Sequence, residues 1–85
     1  MSHTHFAILA KYGDTNVPLE KCCEDYFGLA LKKALEYARS NELPVPVYRL
    51  GSQKSQWFVD AKLLADYIDQ QKTKALIEWR KVTGN

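Results

Sequence analysis

Apolar residues recur along this chain at helical spacing in three places and as short β-rich runs in one. Phe6-Ala7-Ile8-Leu9-Ala10, within His5–Tyr12, is a short apolar run. Periodicity alone does not separate helix from strand there; its two alanines favour a short helix. Gly13-Asp14-Thr15-Asn16 then reads as a turn. Leu19, Cys22, Cys23 and Tyr26 fall at i, i+3, i+4 and i+7, one helical stripe. Pro18 suits the first helical position, where its missing N–H would be unpaired anyway. Glu20 and Glu24 favour the positive end of the dipole, and Gly28 provides the stop. The spacing predicts a helix over about 18–27. Leu31, Ala34, Leu35 and Ala38 repeat the stripe, Ser40-Asn41-Glu42 closes it, and Pro44 forbids continuation.

The pattern then changes. Val45-Pro46-Val47-Tyr48-Arg49-Leu50 is rich in β-branched and aromatic residues, 51–55 is a polar loop, and Gln56-Trp57-Phe58-Val59 is again strand-like. This predicts a β-hairpin with a five-residue connection. Pro46 restricts its strand to an edge, which suits a two-stranded ribbon outside a helical body. Asp60 is a suitable N-cap. After it Leu63, Leu64, Tyr67 and Ile68 form an apolar face, and the helical pattern continues without Gly or Pro to Val82. Such a helix is roughly 33 Å long at 1.5 Å per residue, more than a three-helix body of this size needs. The order helix, turn, helix, hairpin, helix is that of a winged helix-turn-helix. The expected class is therefore mainly α with a small β-hairpin (α+β), with an extended C-terminal helix. One domain over 1–85 is expected, with its core at about 6–72 and a helical extension at about 73–82.

Charge sharpens this picture. The net charge of +2 says little, but its distribution says more. Residues 1–28 hold two lysines against four acids, net −2. Residues 29–62 hold six bases against three acids, net +3, and residues 63–85 come to +1. No acid occurs in the 17 residues between Glu42 and Asp60. A concentrated basic face fits a polyanion such as double-stranded DNA. The second helix of the motif is sized for the major groove. On the side away from its core stripe it carries Lys32, Lys33, Glu36, Tyr37 and Ser40, able to grip phosphates or read base edges. The wing offers Arg49, Ser52, Gln53, Lys54, Ser55 and Gln56, all able to donate hydrogen bonds. Trp57 could stack on a sugar or base, but a plug between wing and helices is the expected role.

Other chemistries lack residues. Cys22 and Cys23 are adjacent, so they cannot staple distant segments. With only His3 and His5 to help, they are too few for a zinc site. Both fall on the inward side of their helix, as small buried thiols. There is no Gly-rich phosphate loop and no nucleophile elbow, so neither an enzyme nor a cofactor is expected. No apolar run approaches the roughly 18 residues of a membrane span, no signal-peptide pattern opens the chain, and reduced thiols fit a cytoplasmic protein with no membrane partner.

The long last helix suggests a further surface. Ile68, Ala75 and Trp79 continue one side of it at steps of three and four, with Leu76 and Ile77 adjacent. Apolar residues projecting past a small core would be exposed, and exposed patches mark interfaces. A homodimer through Ala75, Leu76 and Trp79 is expected. The alternative is a tail that folds back over Phe6 and Leu9 within one chain.

Several stretches resemble a known family. They are Val17-Pro18-Leu19-Glu20, Cys23-Glu24-Asp25-Tyr26-Phe27-Gly28, Leu43-Pro44 with Val47 and Arg49, Ser52-Gln53-Lys54-Ser55, and Leu64-Ala65-Asp66-Tyr67-Ile68-Asp69. Over about residues 6–72 the chain resembles the pyocin activator protein (PrtN-like) family of bacterial and prophage regulators. More distantly it is similar to excisionase and AlpA-type winged-helix proteins. The resemblance implies a sequence-specific activator bound upstream of bacteriocin or phage-tail-like genes. The chain departs from the family pattern at Leu29-Ala30-Leu31, where no capping side chain opens the second helix. Two other roles use the same residues: an excisionase-like factor that bends DNA, and a protein-interaction module that docks on a repressor or RNA polymerase without touching DNA.

Overall fold

The computed structural model describes residues 2–52, 54 and 56–84. Four helices and three short strands follow one another: α1 (His3–Tyr12), β1 (Asn16–Pro18), α2 (Leu19–Phe27), α3 (Leu31–Ser40), β2 (Val47–Arg49), β3 (Trp57–Asp60) and α4 (Ala61–Thr83). The first apolar run is thus a helix. It begins two residues earlier than expected because the Ser2 hydroxyl accepts from the His5 backbone N–H at 3.0 Å, a side-chain N-cap. His3 and His5 therefore sit in a helical turn.

The sequence reading missed β1. Asp14 bends the chain by accepting from the Asn16 N–H at 3.1 Å, an Asx turn. The chain then leaves the turn extended rather than helical. Pro18 closes this strand and serves as the N-cap of α2, not as its first helical residue. The expected two-stranded ribbon is therefore a three-stranded antiparallel sheet of order β1-β3-β2. The strands of the hairpin are also shorter than the sequence suggests, so residues 50–56 connect them. Pro46 lies just before β2, which is an edge strand.

Register explains how the sheet joins the body. Val17 and Val47 both lie opposite Val59, giving a row of three valines across one face. Side chains alternate faces along a strand. Val17 and Val59 are fully buried, together with Leu19, Cys22, Cys23 and Leu64. On the other face Tyr48 stacks beside Phe58 with centroids 6.4 Å apart, and its hydroxyl donates to Asn16 Oδ1 at 2.8 Å.

The helices pack as their stripes require. Ala34 and Ala38 of α3 are buried against the core. Gly28, at φ 66°, lets α2 stop in the left-handed conformation, so that three residues turn the chain into α3. Asp60 caps α4 by accepting from the Leu63 N–H at 3.1 Å. Ala61, Leu64 and Ala65 face inward, whereas Leu63, expected on that face, is 39% exposed. The first half of α4 lies alongside α1, where the Thr4 hydroxyl donates to Asp69 at 2.5 Å.

Beyond Asp69, α4 leaves the body. Every residue from Gln70 to Gly84 is exposed. The tail does not fold back over α1: Phe6 stays 66% exposed. The molecule is accordingly elongated, 51 × 27 × 16 Å, with a radius of gyration of 14.6 Å. A compact chain of this length would give about 12 Å.

Candidate nucleic-acid interface

Strand alternation creates the site. Arg49 and Trp57 are register partners at the far end of β2 and β3. Both point to the same side of the sheet as the valine row, two residues further along each strand. There Arg49 lies over the Trp57 ring, its guanidinium carbon 4.2 Å from the centroid, a close cation–π contact. Trp57 is half-buried and packs on the edge of the core, so it is largely the expected plug. With Leu19 of α2 and Leu31 and Leu35 of α3 it walls a cleft of about 440 Å³ between α3 and the wing.

Three cations meet in that cleft: Arg39 from α3, and Arg49 and Lys54 from the wing. Gln56 lines it as well, and Glu20 is its one acid. Among the described residues neither Arg39, Arg49 nor Lys54 makes an ion pair, and the buried Arg49 Nε has no hydrogen-bond partner. Like charges held close together and unneutralised attract an anion.

Sequence reasoning missed Arg39, although a signal was present. Leu31, Leu35 and Arg39 are spaced at i, i+4 and i+8 on one side of α3. The two leucines were assigned to the core. The structure leaves Leu31 40% exposed and Leu35 half-buried, both turned to the wing. Arg39 follows them onto that edge. At 100° per residue Lys32 falls on the same side of α3 as Arg39, two turns or about 10 Å away along the helix; it is exposed and makes no ion pair among the described residues.

The remaining predicted residues of α3 form a separate edge that is satisfied internally. Lys33 pairs with Glu36 at 3.5 Å and lies 5.4 Å above the Tyr37 ring. The Ser40 hydroxyl donates back to the Glu36 carbonyl at 3.2 Å. In the wing, Ser52 Oγ accepts from the Lys54 N–H at 3.2 Å, shaping the loop that presents Lys54. Gln53 and Ser55 lie outside the described residues. α3 starts at Ala30 with no side-chain cap, so its first-turn N–H groups lack a side-chain acceptor.

Compared with protein families, the chain matches pyocin activator protein PrtN over residues 4–75. The chain belongs to that family. The match includes α3, the wing and the first half of α4, and stops eight residues before α4 does. Comparison with curated proteins and with solved structures yields no match. The family is regulatory.

The structure offers little for other chemistry. Among the described residues no group of three or more His, Cys, Asp or Glu could hold a metal ion. Burial pushes the Cys22 thiol up to about 11 and raises that of Cys23 as well, the reverse of what a nucleophilic thiolate needs. No described helix is long and apolar enough to cross a membrane. A larger hollow of about 660 Å³ runs along α4, but that helix alone lines it, so it is an open face.

Proposed function

We propose that this protein binds double-stranded DNA through α3 and the wing, and thereby activates transcription of pyocin or other bacteriocin-type genes. The observation that carries the reading is the cation cluster shared by α3 and the wing, with Arg39, Arg49 and Lys54 around one cleft and Lys32 on the same side of α3. Family membership supplies the activator role.

In this reading α3 enters the major groove, which is about 12 Å wide. Lys32 and Arg39 lie at the wing-side edge of the groove, and Arg49 and Lys54 reach the neighbouring phosphates. Arg49 is pre-positioned by Trp57, so little side-chain freedom is lost on contact. The uncapped start of α3 adds the positive end of a helix dipole and free N–H donors, suited to a phosphate oxygen. Glu36, Tyr37, Ser40 and Lys33 on the outer surface are the candidates for base-edge contacts, together with Ser52, Gln53, Ser55 and Gln56 of the wing.

Selection of bound duplexes from random DNA tests this. A recurring sequence box, with a match upstream of bacteriocin-type genes, is the expected result. Recovery of no enriched sequence would contradict sequence-specific activation. An enriched box confined to phage attachment sites, with DNA bending on binding, would favour the excisionase-like role instead.

A further inference from the structure

The cleft between α3 and the wing is made of two kinds of surface, and a phosphate backbone matches one of them. Arg39, Arg49 and Lys54 supply charge, which phosphates can meet. The walls are apolar: Leu19, Leu31, Leu35 and Trp57 enclose about 440 Å³. A phosphate satisfies the cations and leaves those walls uncovered. They are not sealed by the protein itself either, since Leu31 is 40% exposed and Leu35 and Trp57 are half-buried. Apolar walls with a few placed polar groups, in a hollow within the range of about 300–1,000 Å³, are the makeup of a small-molecule site.

The polar groups define the ligand. Three cations against Glu20 leave the lining at net +2, so an anion is favoured over a neutral molecule. Arg49 is the fixed group among them. Its guanidinium stacks on Trp57 at 4.2 Å from the ring centroid and has no carboxylate partner among the described residues. A planar guanidinium held in this way suits a planar carboxylate, which it can grip with two parallel hydrogen bonds. Leu31 and Leu35 stand one helical turn apart on α3 and offer the rest of the ligand an apolar wall opposite the wing.

We infer that the cleft binds a small organic acid with an apolar body, its carboxylate on Arg49 and its body against Leu31, Leu35 and Trp57. Arg39 and Lys54 add to the attraction. Such a ligand neutralises the cations assigned to phosphate, so it competes with DNA and turns binding down. The site stands on the cleft alone, whereas the competition rests on the DNA reading of the α3–wing face.

The chain has two tryptophans, so Trp79→Phe leaves Trp57 as the single fluorophore, a reporter in the cleft wall. Its emission is titrated with phenylbutyrate, with acetate as the charge without a body, and with phenylbutanol as the body without a charge. The acid should shift the emission and saturate with a dissociation constant on the order of 1 mM, the range for about a dozen non-hydrogen atoms. Acetate should not saturate, and the alcohol should bind about tenfold more weakly. Leu31→Ser, at an exposed wall position, and Arg49→Gln should each weaken the acid about tenfold. The inference is overturned if the acid does not saturate, if the alcohol binds as well, or if Leu31→Ser binds the acid like its parent. The full chain is then bound to a short duplex. At about ten times its dissociation constant, the acid should lower duplex affinity about tenfold beyond acetate at the same concentration. Duplex affinity that is unchanged with the acid bound overturns the competition. A chain that binds the acid in this way but binds no duplex upholds the site and contradicts the DNA reading.

Discussion

Two surfaces of this molecule are exposed without any visible need of the core, and they differ in chemistry. The α3–wing face gathers Arg39, Arg49 and Lys54 around a cleft with one acid, and Lys32 lies on the same side of α3; none of the four makes an ion pair among the described residues. The outer half of α4 sets Lys72, Lys74, Arg80 and Lys81, with Glu78, around the exposed Leu76, Trp79 and Val82. An excess of one sign has no partner within the protein and fits a polyanion. A helix that also exposes an apolar seam fits another protein surface. Exposure alone says that something is uncovered; the balance of charge and apolar area says by what it could be covered.

If the two surfaces are independent, each can be removed without touching the other. The largest effect should come from the triple variant Arg39→Ala/Arg49→Ala/Lys54→Ala. It should lower the slope of log affinity against log salt by about three units and leave the sedimentation of the free protein unchanged. A changed mass in that variant would break the separation. In reverse, Trp79→Ala should keep the parental salt slope per bound body, and a lower slope would break the separation from the other side.

A smaller effect separates the two edges of α3. Lys32→Ala should remove about one unit of slope. Lys33→Ala should remove clearly less, because Lys33 already pairs with Glu36 and Tyr37. Equal losses would show that the internal pairing does not matter on DNA. Tyr37→Ala and Ser40→Ala should instead change which sequences are preferred, by roughly 1–3 kcal/mol for a lost base contact. Unchanged preferences would move base reading to the wing.

The smallest effect concerns the core beneath both surfaces. Burial raises the Cys22 thiol to about 11 from its ordinary value of 9.0. The folded protein therefore keeps this thiol protonated where the unfolded chain would ionise. The associated stability is complete below pH 9 and is lost as pH rises toward 11. Thiol-reactive dye at pH 8 should label the native protein only as fast as it opens, and denaturant melts should weaken between pH 9 and 11 in wild type more than in Cys22→Ala. Rapid stoichiometric labelling would contradict the burial.

Much of this architecture was legible in the residues because its punctuation is local. Gly28, Pro44 and Asp60 each act within a turn of themselves, and they mark the end of α2, the stop after α3 and the start of α4. β1 was not legible: three residues are too few to show alternation, and their partner strand lies about forty residues on. The candidate interface was half legible. The wing cations follow from composition, whereas Arg39 needed the knowledge that Leu31 and Leu35 face a cleft rather than the core. That knowledge depends on where the Arg49–Trp57 end of the sheet comes to rest, a tertiary fact with no local signature. The outward course of α4 was legible from its length. Its failure to fold back on Phe6 was not, since either outcome satisfies the same periodicity.

The most direct test of the central claim is the salt dependence of wild-type binding to a short duplex. Four phosphate-facing cations, Lys32, Arg39, Arg49 and Lys54, predict a slope of about −3.6 for each bound body on B-DNA. A slope near zero, or no binding at about 50 mM salt, would contradict the assignment of the α3–wing face to DNA.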